Sequence, residues 1–279
     1  MLSSKPSKED LLAYLHNFNF EEATKEILRF IKSTTEKANS EGVVVGLSGG
    51  VDSSLTATLC VKALGNAKVL GIIMPLEFTP KKDVKDASEL AEQLGIKTEY
   101  VDIQGISEAF FRSLKINTDS ETQRIPAANI RARIRMIILY YYANMKNLLV
   151  AGTSDKSEVL LGFFTKYGDG GVDFEPISHL YKTQVRLLSE YLGLPRRIAY
   201  KPSSPQLYPG HKATDELPLD YEALDPLLVA LFDYKMSTEE ASKVTGLPIE
   251  IARETMRRFN ASDHKRRLPP ALEEWPVKP

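Results

Sequence analysis

At 279 residues, 43% hydrophobic and 26% charged, the chain is long enough to bury the core of one large α/β domain and too short for two independent catalytic domains. A formal charge of −1 supplies no basic field for non-specific nucleic-acid binding, and no apolar run approaches the length of a membrane span. The single cysteine, Cys60, rules out an intrachain disulfide or a cysteine metal cage, and residues 1–20 carry acidic groups where a signal peptide would be apolar, so the expected setting is the cytoplasm.

Residues 7–16 and 20–38 read as helices that pack against a sheet or a partner, the second with Ile27, Phe30 and Ile31 at i, i+3, i+4 spacing. Strands are expected at 43–47, 68–74, 97–103 and 147–152, with helices at 54–64 and 82–94 between them. That alternation predicts an α/β fold, a doubly wound, mostly parallel sheet with flanking helices and ligands at the carboxyl ends of its strands. A long helix over 122–146 carries Ile130, Ile134, Ile137, Ile138 and Tyr141 as its apolar face. Among them stand Arg131, Arg133 and Arg135, most of which should face water or acidic neighbours while one reaches a phosphate or carboxylate. Residues 162–173 form a Gly-rich functional loop, 200–218 an irregular connection with four prolines, and 220–233, 237–245 and 249–259 short helices before an extended tail from 268. The expected organisation is one domain over 1–279: N-terminal helices 7–38, a nucleotide-binding core 43–200, and a mobile loop with a helical part over 201–279.

Between the first strand and its helix lies Gly46-Leu47-Ser48-Gly49-Gly50-Val51-Asp52-Ser53. Adjacent glycines let backbone N–H groups turn inward, and the Ser hydroxyls and helix start add donors, so the loop suits a polyphosphate. It is neither a Walker A loop nor Gly-x-Gly-x-x-Gly; the plainer alternative is a tight turn with Asp52 as a helix cap. The segment Gly152 to Glu158 follows the fourth strand and so reaches the same sheet edge, where Thr153 can point a hydroxyl at a nucleoside and Glu158 can add a second carboxylate for Mg²⁺.

The first loop resembles the Ser-Gly-Gly-x-Asp-Ser loop of the ATP pyrophosphatases of the adenine-nucleotide α-hydrolase fold, which cleave ATP between its α- and β-phosphates. The run Gly162-Phe163-Phe164-Thr165-Lys166-Tyr167-Gly168-Asp169-Gly170-Gly171-Val172-Asp173 is similar to the Gly-Phe-x-Thr-Lys-Tyr-Gly-Asp-Gly-x-x-Asp block of the NAD synthetases. Asn129-Ile130-Arg131-Ala132-Arg133, Leu180-Tyr181-Lys182-Thr183-Gln184-Val185 and Ser262-Asp263-His264-Lys265-Arg266 agree with the same family in the same order. The resemblance implies a Rossmann-like ligase that amidates deamido-NAD with ammonia at the expense of ATP, giving NAD, AMP and pyrophosphate through an adenylated intermediate. It implies ATP on Gly46 to Ser53, Thr153, Lys182 and Ser204, and Mg²⁺ on Asp52 and Glu158. Deamido-NAD would lie on Arg133, Lys166, Asp173, His264 and Lys265, with catalytic duties on Asp52, Lys182 and Asp173, and a homodimer is expected.

Two departures stand out. Pro202-Ser203-Ser204-Pro205 replaces the family's Pro-Ser/Thr-Ala-x, so Ser203 and Ser204 both compete for the ATP contact, with spacing from Lys182 favouring Ser204. Extra residues in Tyr208 to Lys212 also precede Thr214-Asp215-Glu216. A glutamine-dependent relative would need an amidase domain with a cysteine nucleophile, whereas Cys60 lies on the phosphate-loop helix; free ammonia or a separate subunit is the consistent source. The competing readings are a GMP synthetase core, a tRNA-thiolating enzyme, and a non-catalytic adenine-nucleotide sensor.

Overall fold

In the computed structural model, which describes residues 6–271, two N-terminal helices precede the sheet. Helix α1 (Lys8–His16) opens with a capping box between Ser7 and Asp10, and α2 (Phe20–Lys37) with Asn19 accepting from Glu22 N–H. Strands β1 (Gly42–Gly46) and β2 (Val69–Ile73) flank α3 (Val51–Leu64), and α4 (Lys81–Leu94) leads to β3 (Lys97–Tyr100). Two further helices, α5 (Gln104–Leu114) and α6 (Glu121–Lys146), intervene before β4 (Leu148–Val150). The strands are parallel in the order β3-β2-β1-β4. All four residues of β3, Lys97 and Glu99 among them, are exposed, and the strand forms one edge.

Both faces of the sheet are covered, as the side-chain alternation of β1 requires. Val43 and Val45 join Ile27 and Ile31 of α2 and Leu55, Leu59 and Cys60 of α3 in one cluster, while Val44 packs with Ile72, Val150 and Ile134 of α6 in another. A third core lies off the sheet. There Leu11 and Leu15 of α1 meet α7 (Lys156–Leu161) and, beyond α8 (Lys182–Tyr191) and α9 (Arg196–Ala199), the helices α10 (Tyr221–Leu228), α11 (Thr238–Thr245) and α12 (Ile249–Ala261). Thus α2 packs on the sheet as expected, whereas α1 belongs to the C-terminal helical group.

Three details differ from the sequence reading. The strand expected over 97–103 stops at Tyr100, and α5 follows it. In α6, Ile137 and Tyr141 are 56% and 61% exposed, on the i, i+4 row that also carries Arg133 and Met145. Arg133 faces water and Arg135 has Asp169 as an acidic neighbour, as expected of most of these arginines, whereas Arg131 has neither. Arg131 is buried between the rings of Phe78 and Phe111, and Arg135 points inward and donates to the Met74 carbonyl. Arg131 and Arg135 are one helical turn apart and so share a face, with Arg133 on the other. The connection over 200–218 contains a single short 3₁₀ turn, Ala213–Asp215, as its prolines suggested. The tail expected from 268 lies outside the described residues beyond 271. Among the described residues, no helix is long and apolar enough to cross a membrane.

Candidate active site

Strand order reverses between β1 and β4, and the loops that leave their carboxyl ends diverge there to open a crevice. A cavity of about 460 Å³ occupies this place. Its wall includes Gly46, Leu47, Ser48, Gly50, Val51, Asp52 and Ser53 from the β1–α3 loop, and Thr153 and Glu158 from the β4–α7 turn. Ser203, Ser204 and Lys265 complete it from the C-terminal side.

The β1–α3 loop is tied by its own hydroxyls. Ser53 Oγ donates to the Gly50 carbonyl at 3.2 Å and accepts from Ser48 N–H at 3.3 Å, and Ser48 Oγ accepts from Gly50 N–H at 3.2 Å. Gly49 has φ +70°, and a Cβ there would sit 2.2 Å from the Asp83 carbonyl oxygen, so the turn needs glycine on both counts. Gly50 then caps α3 without a side chain, leaving the first N–H groups of that helix toward the cavity.

Lys182, the first residue of α8, is fully buried, and its ammonium lies 2.8 Å from Asp52, 2.9 Å from Glu158 and 3.0 Å from Asp155. Asp52 and Glu158 remain 22% and 19% exposed on the cavity side, whereas Asp155 is closed off. Burial works against the Lys182 charge, but the three carboxylates outweigh it and hold the ammonium well above the ordinary lysine range. Burial also pushes the Asp155 carboxyl up to about 7 and that of Glu158 well up, with Lys182 opposing both shifts. One cation offsets three acids, so the cluster retains a demand for positive charge.

Asp155 was not singled out in the sequence, although a signal was present. Asp155-x-x-Glu158 is a capping box, with Asp155 accepting from Glu158 N–H at 2.8 Å and Glu158 accepting from Asp155 N–H at 3.3 Å. Its second oxygen, Oδ2, has no aligned hydrogen bond and serves Lys182 through charge.

The expected dinucleotide residues fall into separate places. Arg133 donates to the Lys166 carbonyl at 3.2 Å, and Lys166 donates to the His264 carbonyl at 2.5 Å, which links these three outside the cavity wall. Lys265 turns inward, donating to the carbonyls of Gly162 and Phe164 at 2.8 and 2.7 Å. Asp173 is exposed and sits beside β4, accepting from Tyr140 OH at 2.9 Å and Val150 N–H at 2.7 Å; it does not line the cavity. The extra residues of the 200–218 connection bring in His211, buried, stacked on Tyr208 and bonded to Glu216. Gly168 and Gly170 permit the close folding of the 162–173 loop, since a Cβ at either would strike Thr165 or Phe164 below 3.0 Å.

The NAD synthase family model matches residues 23–269, which takes in every segment of this crevice. The chain belongs to the NAD synthase family. Its relatives include the NH₃-dependent NAD⁺ synthetase of Hyperthermus butylicus, 51% identical over 92% of each chain. That of Methanocaldococcus jannaschii is 48% identical over 91% of this chain and 98% of its own. Among solved structures, the NMN synthetase of Francisella tularensis is similar with TM-score 0.79 at 33% identity, covering 92% of this chain and 100% of its own. The NH₃-dependent NAD synthetase of Campylobacter jejuni gives TM-score 0.76 at 31% identity, with the same coverage. As an NAD synthase family member, the chain has the Rossmann-like α/β architecture that its sheet order already displays.

Proposed function

We propose that the chain is an ammonia-dependent NAD synthetase that amidates deamido-NAD with ATP, the last step of NAD formation. In this reading the nicotinate carboxylate attacks the α-phosphorus of ATP, and pyrophosphate leaves. Ammonia then adds to the acyl adenylate, and AMP leaves as the amide forms and a proton is released. The observation that carries the proposal is the convergence of a donor-lined phosphate loop with Asp52 and Glu158 at one crevice, both paired from behind its wall by the buried Lys182, in a chain of this family. Both substrates are held and aligned, so positioning and charge stabilisation supply most of the acceleration.

Mg²⁺ fits the donor set. Asp52 and Glu158 are oxygen donors open to the cavity and within reach of the same ammonium, and two carboxylates completed by substrate phosphates are a usual Mg²⁺ arrangement. Among the described residues no group of three or more ligating side chains forms a ready metal cage, which agrees with a metal that arrives with ATP. Bound there, the ion would neutralise charge on the phosphates. The β1–α3 loop and Thr153 would hold ATP, with Ser204 closing from the lid side. Lys182 would bridge the two ligating carboxylates and add positive charge beside the phosphates. Arg133, Lys166, His264 and Lys265 suit the anionic dinucleotide, and Asp173 its ribose hydroxyls or pyridinium.

The same reading takes the chain as one domain, supported by the way segments 43–200 and 201–271 both line the crevice. It also takes the chain as a homodimer. Helices α5 and α6 pack together, and each bears an exposed apolar row at i, i+4 spacing: Ile106, Phe110 and Leu114, and Ile137, Tyr141 and Met145. Sedimentation of a Tyr141→Lys variant as a monomer beside a dimeric wild type would support it, and a monomeric wild type would remove it.

The test is NAD, AMP and pyrophosphate formation from ATP, Mg²⁺, deamido-NAD and ammonium, with each reactant omitted in turn. Equimolar NAD and AMP is the expected result. Preference for nicotinate mononucleotide over deamido-NAD would move the acceptor, and pyrophosphate release without an amide product would overturn the ligase.

A further inference from the structure

Glu158 and Lys182 come from different helices, and neither helix fixes its own position. Helix α7 has six residues, too few to hold a helical conformation without outside support. Helix α8 begins at Lys182 itself, with its first N–H groups lacking intrahelical partners. Both starts are gripped by one residue of α10. Asp225 is fully buried; its Oδ1 accepts from Ser157 OH at 2.6 Å, and its Oδ2 accepts from Thr183 N–H at 2.8 Å and Thr183 OH at 2.6 Å. Ser157 Oγ in turn accepts from Lys182 N–H at 3.0 Å. Ser157 precedes Glu158 and Thr183 follows Lys182, so the clasp holds the main chain at Thr183 directly and at Lys182 through Ser157 Oγ, and ties the start of α7 by the short Ser157 side chain.

We infer that Asp225 is a positioning residue for the reaction, setting through Ser157 and Thr183 the separation of Glu158 and Lys182. This rests on the ligase reading above. A carboxylate is the side chain that meets the demand, because all three bonds it receives are donated to it and two arrive on one oxygen. It also places negative charge at the start of α8, where the helix dipole favours it. Asparagine at this position keeps an acceptor for Thr183 but turns an amide donor toward Ser157, whose hydroxyl proton then loses its partner.

A second clasp offers a comparison. Asp233 accepts from Lys156 Nζ at 2.7 Å, one residue before Ser157, and from Tyr181 OH at 2.5 Å, one residue before Lys182. It holds flexible side-chain ends, not main chain, so it contributes to packing without setting the Glu158–Lys182 spacing.

The experiment compares wild type with Asp225→Asn, Ser157→Ala and Asp233→Asn in steady-state kinetics, thermal unfolding, and calorimetric ATP binding at several Mg²⁺ concentrations. For Asp225→Asn, kcat falls about 10–100-fold, KM for deamido-NAD stays within about twofold, and the Mg²⁺ needed for half-maximal ATP affinity rises about tenfold. Ser157→Ala shows the same pattern more weakly and adds little in the double variant, as expected of a shared path. Asp233→Asn lowers Tm while kcat and the Mg²⁺ requirement hold. Loss of Tm in Asp225→Asn with unchanged kcat and Mg²⁺ requirement would overturn the inference. If wild type forms no NAD, the ligase reading fails, and ATP binding still decides Asp225: a tenfold Mg²⁺ shift upholds its positioning of Glu158, and no shift refutes it.

Discussion

Replacing Lys182 with methionine tests the charge argument most directly. The methionine nearly matches the lysine stem in volume, so the main loss is the ammonium. That ammonium lies 2.8–3.0 Å from three carboxylates, and among the described residues it is their only ion-pair partner. Removing one partner of a buried ion pair costs about 3–5 kcal/mol, because the other charge is left uncompensated. Folded proteins are stable by only about 5–15 kcal/mol, and at roughly 2 °C per kcal/mol for a chain of this length Tm should fall by about 6–10 °C. The diagnostic measurement is a double-variant cycle with Asp155→Asn, which preserves the α7 cap and deletes one negative charge. In wild type that change removes a Lys182 partner and costs about 1–3 kcal/mol. In the Lys182→Met background it relieves repulsion among the remaining acids and stabilises, so its sign reverses. Thermal unfolding of the four proteins at pH 8 reads both effects. An Asp155→Asn effect of the same sign in both backgrounds would refute the view that charge balance governs this cluster.

Glu175 makes stability fall between about pH 4.5 and 8: burial pushes its carboxyl up to about 8 beside Gly152 and Ser154 N–H. A carboxyl raised from its unfolded value favours the folded state below about 4.5, and that contribution is lost as pH climbs through 8. Glu175→Gln should therefore unfold above wild type at pH 9 and nearer to it at pH 6; a gap that grows on acidification contradicts the assignment. Gly49→Ala places a methyl against the Asp83 carbonyl at a left-handed φ that alone costs about 1–2 kcal/mol, and calorimetry should find ATP binding weakened at least tenfold, with undiminished binding contradicting the loop's role. Burial raises the Cys60 thiol to about 12, so a thiol-specific disulfide reagent should react only after unfolding, and rapid labelling of the native protein would contradict that placement.

The sequence by itself determined the layers and the mouth of the crevice. The alternation of strand and helix segments located β1 to β4 and most helices to within a few residues. The Gly49-Gly50 turn, Asp52 and Glu158 were legible because a short motif fixes them relative to a strand end that any parallel sheet exposes. The sequence was less informative where a residue's fate depends on a distant neighbour. Nothing local separates Arg131, sandwiched between two rings, from Arg133 on the outer face, since only the docking of α6 decides which turn points inward. Nothing adjacent to Lys182 in the sequence marks it for burial, yet the tertiary structure buries it among three acids from two other segments. Asp225, 42 residues beyond Thr183 and 68 beyond Ser157, becomes the clasp of both helices only once the C-terminal helical group has closed over α7 and α8. Hydrogen bonds and ion pairs act over about 3 Å, and only the folded chain brings residues so far apart in sequence within that range.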